Sequence, residues 1–306
     1  MRFSKDDFYP GLFGAAESGG ETYAAPNDVN PDMFWYDKKA LAAAGITEDP
    51  ATLAASDQWT TATFLQMCDK LKAAGLTGAM FWNYWATHYS WISAQGGKAY
   101  DGDSFVGATD ATTVSAVTTL GQYFQSKTFV VADSLPEGAG ADSLFVRHKA
   151  GFFVQGRYTI GTLKSAGVQD DYDVVRWPTV DGKAASTGVA ASYLAINKNT
   201  KNADAAYLFW SEFLNAEGQK FRLQGGGNAV PSVKGADSVV LEGYPAHAQS
   251  ILDARDIGFV NYAAEAKVPG LSSDISDLFL KLYEGKADAQ GTLDAVAALA
   301  TEKIGK

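Results

Sequence analysis

Residues 80–91 read MFWNYWATHYSW. They hold three of the chain's seven tryptophans, Trp82, Trp85 and Trp91, with Phe81, Tyr84 and Tyr89 filling most of the gaps. Flat rings at this density suit one chemistry in particular: ring faces stack on the C–H faces of sugars, while polar groups at the ring edge take the hydroxyls. Asn83 and His88 are interleaved as such polar groups. At helical spacing Phe81, Trp85 and Tyr89 share one face, and Tyr84 and His88 line another, with Trp91 near it. One helix at the edge of a lobe cannot bury rings on every side, so some of them must be exposed or face a cleft. Phe81 and Trp91 are expected in the core. For Trp82, Tyr84 and Trp85, core and site are both open.

Other chemistries find no foothold in the residue pattern. The sequence has no HExxH, CxxC, GxSxG or phosphate-loop motif, and Gly225-Gly226-Gly227 lacks the Lys-Ser/Thr that a phosphate loop needs. His88, His148 and His247 are scattered without metal-ligand spacing. Asp101 and Asp103 flank a turn glycine, and Asp170, Asp171 and Asp173 read as a solvated turn. A glycosidase needs two carboxylates held across a cleft, and no candidate pair stands out. The single cysteine, Cys68, excludes a disulfide within the chain and reads as a small buried hydrophobe.

The elements that must position these residues alternate. Short strands are expected at 21–25, 76–81, 150–156, 172–178 and 192–197. Helices are expected at 37–44 with Asp37 as N-cap, 61–74 with Thr60 as N-cap, 110–126, 202–215, 217–223, 241–255, 272–284 and 291–304. KAYDGDSFVG reads as a hairpin turning at Asp101-Gly102, and EGAGAD (137–142) as a loop before a helix. The pattern is α/β. The 306 residues suffice for two lobes. No apolar run is long enough to span a membrane, and MRFSKDDFYPGLFG lacks the features of a signal peptide. A formal charge of −10 argues against a nucleic-acid partner.

Longer segments resemble a known family. YAAPNDVNPDMFWYDKKALAAAGI (23–46) resembles the hinge-crossing segment of extracellular solute-binding proteins of ABC importers, in the carbohydrate branch typified by maltose-binding protein (family 1). That pattern is Y-x-x-P, polar residues, an aliphatic-aromatic strand, Y-N/D-K and a helix ending in A-G. WTTATFLQMCDKLKAAG (59–75), AGFFVQGRYTI (150–160), STGVAASYLAINKNTKNADAAYLFWSEFLNAEGQKF (186–221) and GGGNAVPSV (225–233) are similar, in order, to further family motifs. The resemblance implies a periplasmic-binding-protein-like (type II) fold with two lobes and a hinge. It puts a remnant of lobe 1 at 1–28 and 188–244, and lobe 2 at 29–187 and 245–306. Family elements preceding the Y-x-x-P segment have no counterpart, so lobe 1 is expected to be incomplete and the chain N-terminally shortened.

By the same resemblance, Asn27 and Asp28 stand at the cleft floor. Trp82, Asn83, Tyr84, Trp85 and His88 stand on a lobe-2 cleft loop, and Tyr158 takes the place of a stacking Trp beside Arg157. Tyr193 and Asn228 lie near the hinge and the lobe-1 rim, while Trp35 and Trp177 are expected in the core. The implied function is binding of an oligosaccharide in an aromatic-lined interlobe cleft and delivery to the permease subunits of an ABC transporter. The protein is expected to be a monomer, extracellular as a cell-surface lipoprotein or periplasmic, with signal and anchor not present in this chain. No catalytic residue, cofactor or metal is implied. The alternatives are a binding protein for a non-sugar solute such as a polyamine, a carbohydrate-active enzyme, and an interaction module on the same fold.

Overall fold

The computed structural model describes residues 4–136, 140–225 and 227–304. Its centre is a five-stranded sheet. The strands are β2 (Met33–Asp37), β3 (Thr77–Phe81), β4 (Phe129–Val131), β5 (Ala150–Gln155) and β6 (Tyr172–Val175), in spatial order β6-β2-β5-β3-β4. β2 runs antiparallel to β5 and β6, and β3 parallel to β5 and β4. Helices cover both faces, so β2 and β5 are buried along their whole length. Side chains alternate across the sheet. Phe34, Tyr36, Phe81, Phe152 and Val154 join one core, and Met33, Trp35, Met80 and Phe153 the other.

The first core is closed by α1 (Lys38–Ala43), α2 (Thr61–Ala73), α3 (Trp85–Ala94), α4 (Ala111–Gln125), and the C-terminal α10 (Leu271–Tyr283) and α11 (Ala289–Ile304). The second receives α5 (Ala141–Val146), α6 (Thr159–Ala166) and α9 (Gln249–Ile257). Local chemistry sets several of these ends. Asp37 accepts from the Lys39 and Ala40 amides, and Thr60 from the Thr63 amide. Cys68 is fully buried on α2, where burial pushes its thiol up. The hairpin pairs Tyr100–Asp101 with Ser104–Phe105.

A separate two-stranded antiparallel ladder joins β1 (Ala25–Pro31) to β7 (Val189–Leu194). Beside it lie α7 (Ala203–Leu214), α8 (Ala216–Leu223) and a small core of Phe8, Phe13, Ala25, Leu214, Val233 and Ala236. The first crossing between ladder and large sheet is short, with Asp32 alone between Pro31 and Met33, whereas the return from β6 to β7 runs over residues 176–188. The register skips Asn27, which bulges between Pro26 and Asp28 and redirects the strand beside it.

The structure moves several expected elements. The strand read at 21–25 divides: Glu21–Thr22 pairs with Glu17–Ser18, and Ala25 opens the ladder strand Ala25–Pro31, which runs through two prolines that edge strands tolerate. β6 ends at Val175, and β7 starts at Val189, earlier than its apolar run, because pairing with β1 fixes it. α9 begins only at Gln249, after Gly243 and Pro245 interrupt the helical pattern. Asp173 is not solvated: it is buried, accepting from the Val174 and His247 amides and the His247 ring. Part of the loop expected at 137–142 and the middle of the Gly225–Gly227 run lie outside the described residues.

Candidate functional site

The aromatic segment does not form one helix. β3 carries Phe81 to the sheet end, residues 82–84 turn, and α3 starts at Trp85 with Tyr84 as its N-cap. Phe81, Tyr89 and Trp91 are core; the Trp91 indole donates to the Ala116 carbonyl at 2.8 Å. Trp82, Tyr84 and Trp85 are partly exposed, and they divide between two neighbourhoods.

The first lies at the end of β5. The Trp82 indole donates to Gln155 Oε1 at 3.1 Å, and its ring tilts against Phe153. A Cβ at Gly156 would lie 2.7 Å from both Asn30 Oδ1 and Tyr158 Cε1, so any larger residue there would displace these side chains. This close approach brings the ladder onto the sheet end and leaves the Tyr158 ring 40% exposed. Burial and then the nearby Asp32 carboxylate push its hydroxyl up to about 12. Behind it, the Tyr84 hydroxyl donates to Asp32 Oδ1. Asp32 sits in the crossing itself. Its amide donates to the Gly188 carbonyl at 3.0 Å, and its carbonyl accepts from the Trp177 indole at 2.8 Å. The second carboxylate oxygen is buried without a donor. With no cation beside it, burial raises this acid to about 7, and the Tyr84 bond only partly opposes the shift.

The second neighbourhood is a groove of about 200 Å³ lined by Ala15, Trp85, Ala190, Ala191, Tyr193, Val260, Asn261 and Ala266. Trp85 meets Tyr84 edge-on, with centroids 6.0 Å apart, and leans on Phe259. Tyr193 is fixed by its hydroxyl, which donates to the Leu12 carbonyl at 3.0 Å. The groove thus lies between α3 of the large sheet's body and β7 of the ladder, apolar on its walls with one amide at its edge. A larger cavity of about 470 Å³, between β6 and α9, contains none of the aromatic candidates.

Four residues expected to meet a ligand are engaged inside the protein in this structure. His88 is fully buried, stacked on Phe279 at 4.0 Å, and burial lowers its pKa to about 3. The Asn83 amide donates to the Ser276 carbonyl, so its oxygen must accept from His88 Nε2; the pair holds the turn, and His88 Nδ1 is left buried without a partner. Arg157 is also buried. Its guanidinium donates to the carbonyls of Leu223, Gly227, Ala229 and Val239, pinning that stretch to the end of β5. Burial draws its pKa down to about 10. Asp28 is spent on an ion pair with Arg222 at 3.1 Å and on bonds from Asn27 and Ser192. Asn27 lies beside it in the bulge, away from the groove lining. Asn228 is exposed and meets Asn30 only through its carbonyl.

Sequence reasoning missed Asn30, Asp32, Gln155, Val260 and Asn261. A period of two along β1 reaches Asn30 from Asp28, so that residue was findable. No local signal marks Asn261, whose segment enters the groove only through tertiary packing.

Fold and site together define a two-lobe binding protein whose crossing strands lie under aromatic walls. The sequence profile of the bacterial extracellular solute-binding proteins matches residues 2–220, and the chain belongs to that family. Members are binding proteins, not enzymes, and the family is extracellular. A search of curated proteins finds no match. Solved structures share the fold. Lmo0181 from Listeria monocytogenes, in complex with cycloalternan, is 17% identical with a TM-score of 0.83, over 99% of this chain and 77% of its own. The GacH receptor of Streptomyces glaucescens, solved unliganded and with acarbose, is 18% identical with a TM-score of 0.80, over 98% and 76%. Maltose-bound MalE3 of T. maritima is 17% identical with a TM-score of 0.79, over 97% and 76%. Relative to these structures, lobe 1 is incomplete in this chain. No helix among the described residues is long and apolar enough to cross a membrane.

Proposed function

We propose that the protein binds an oligosaccharide between its lobes and delivers it, as an extracellular monomer, to the permease of an ABC transporter. The observation carrying this reading is the pairing of Trp85 and Tyr193 across one groove, with the exposed Tyr158 ring near the other end of the crossing. Rings facing each other from two lobes suit flat, hydroxylated rings, and closing the lobes brings both walls onto the ligand. That solved relatives hold cycloalternan, acarbose and maltose supports the same class. The proposed lobes are 1–28 with 188–244, and 29–187 with 245–306. The small core of Phe8, Phe13, Leu214 and Val233 falls wholly within the first set. Attachment as a lipoprotein or residence in a periplasm belongs to the same proposal.

Isothermal titration with maltose, maltotetraose, an α-linked cyclic tetrasaccharide and spermidine tests it. Saturable heat with a sugar and none with spermidine is expected. Silence with every sugar, or binding of spermidine alone, sinks the oligosaccharide reading.

A further inference from the structure

We infer that Asp32 is the positioning residue of the groove's Trp85 wall: through the Tyr84 hydroxyl it ties that wall to the crossing between ladder and large sheet, and ligand affinity follows its protonation. This inference rests on the oligosaccharide reading above.

Asp32 alone spans the first crossing, and its three polar groups hold three different parts of the chain. Its amide donates to the Gly188 carbonyl on the return segment at 3.0 Å. Its carbonyl accepts from the Trp177 indole at 2.8 Å, and its carboxylate from the Tyr84 hydroxyl. The residue is only 3% exposed, so it acts on a ligand through Tyr84 and not by contact. Tyr84 is the N-cap of α3 but makes no side-chain cap bond. A tyrosine is not among the residues that cap a helix locally. Its anchor is the distant carboxylate instead. The next residue is Trp85, which lines the groove with its ring edge-on to that of Tyr84. Asn83 anchors the turn one residue earlier, and Tyr84 is the anchor adjacent to the groove wall.

The bond responds to charge. Burial, and then the Asp32 carboxylate, push the Tyr84 phenol well up, so it remains a donor. A donor bonds an ionised carboxylate more strongly than a neutral acid, and whatever holds that donor in place favours the ionised form. The titratable groups facing Asp32 are Tyr84, from the turn after β3, and Tyr158, beyond the end of β5. Asp133 acts on Tyr84 and Asp142 on Tyr158, and none of these four is a cation. The return segment offers a backbone carbonyl, and Trp177 its indole. Asp32 therefore changes charge at about 7, within the working range of the protein. A sugar stacked on Trp85 holds that ring and, through it, Tyr84. Ligand binding and ionisation of Asp32 then support each other. The acid's pKa is lower in the complex than in the free protein, so binding releases protons and affinity rises as pH climbs through 7.

Calorimetry with maltotetraose on the whole chain tests this, since the sugar has no group that titrates near neutral pH. In the unaltered chain affinity is expected to rise about threefold from pH 6 to pH 8. Tyr84→Phe keeps the ring and removes the donor; it should weaken binding about tenfold at pH 8 and flatten the profile. Asp32→Asn keeps an acceptor without a charge, and its affinity should stay, at every pH, near the value of the unaltered chain at pH 6. A purely structural role for either residue would lower affinity and leave the slope in place. Asp32→Asn alone carries the test if Tyr84→Phe does not fold. A flat profile in the unaltered chain, or a slope that survives in either variant, overturns the inference and leaves sugar binding standing. Absence of maltotetraose binding also overturns it; the oligosaccharide reading falls only if every sugar tested is silent.

Discussion

Helices α10 and α7 both carry apolar stripes at helical spacing, yet α10 buries Leu271, Ile275, Phe279, Leu282 and Tyr283, whereas α7 buries only Leu214. Phe279 lies flat on His88 from another helix. Among the described residues Phe209 of α7 stacks only on Phe213 of its own helix; it is 64% exposed, with Tyr207 and Leu208 exposed beside it. Amphipathicity states which face needs cover and says nothing about what supplies it. α10 closes one core of the large sheet. α7 flanks a ladder of two strands, and its aromatic face is the kind of exposed patch that marks a contact surface.

The largest expected difference tests that contrast directly. Phe279→Ala should cost about 3–5 kcal/mol in urea unfolding, and Phe209→Ala no more than about 0.5 kcal/mol. A comparable loss at Phe209 would show that its face is covered in solution, and the contrast would break.

Buried charge sharpens the same contrast. The folded protein holds Asp32 at about 7, above the ordinary carboxylate range. Its contribution to stability is therefore present below about pH 4 and is lost as pH rises toward 7, on the order of 4 kcal/mol in all. His88, held at about 3, acts in the opposite sense: its burial costs stability as pH falls below about 6.5. The stability difference between the unaltered chain and Asp32→Asn, followed from pH 4 to 8, isolates the first effect. A difference constant across that range would contradict the burial described for Asp32.

Smaller effects belong to the site. Trp85→Ala and Tyr158→Ala should each weaken oligosaccharide binding at least tenfold, about 1.4 kcal/mol, while Phe209→Ala leaves affinity unchanged. Flat titrations for both ring variants would separate the groove from the ligand. The smallest is Arg222→Ala, which frees Asp28 from a partly exposed ion pair and should shift stability by less than about 1 kcal/mol in the same urea assay.

Much of the frame was legible because it depends on neighbours in sequence. Asp37 and Thr60 cap the helices they precede, Asp101-Gly102 turns its hairpin, and Phe81, Trp91, Trp35 and Trp177 are core as their surroundings in the chain suggest. The candidate site was half legible: Trp85 and Tyr193, both singled out from the sequence, line one groove, and Tyr158 is exposed. The engagements of the polar candidates were not legible, because most come from far along the chain: Arg222 pairs with Asp28, Phe279 stacks on His88, and four backbone carbonyls take Arg157.

By itself, then, the sequence determined the α/β character, the helix starts and stops, the family pattern and the ring-rich stretch. These rest on period, capping and turn chemistry within a few residues. Only the tertiary structure decided which rings line the groove, which charges are spent inside the protein, and which distant segments meet there. A side chain's free valence depends on every group that folding brings within 3 Å or so of it, and those groups come from anywhere in the chain.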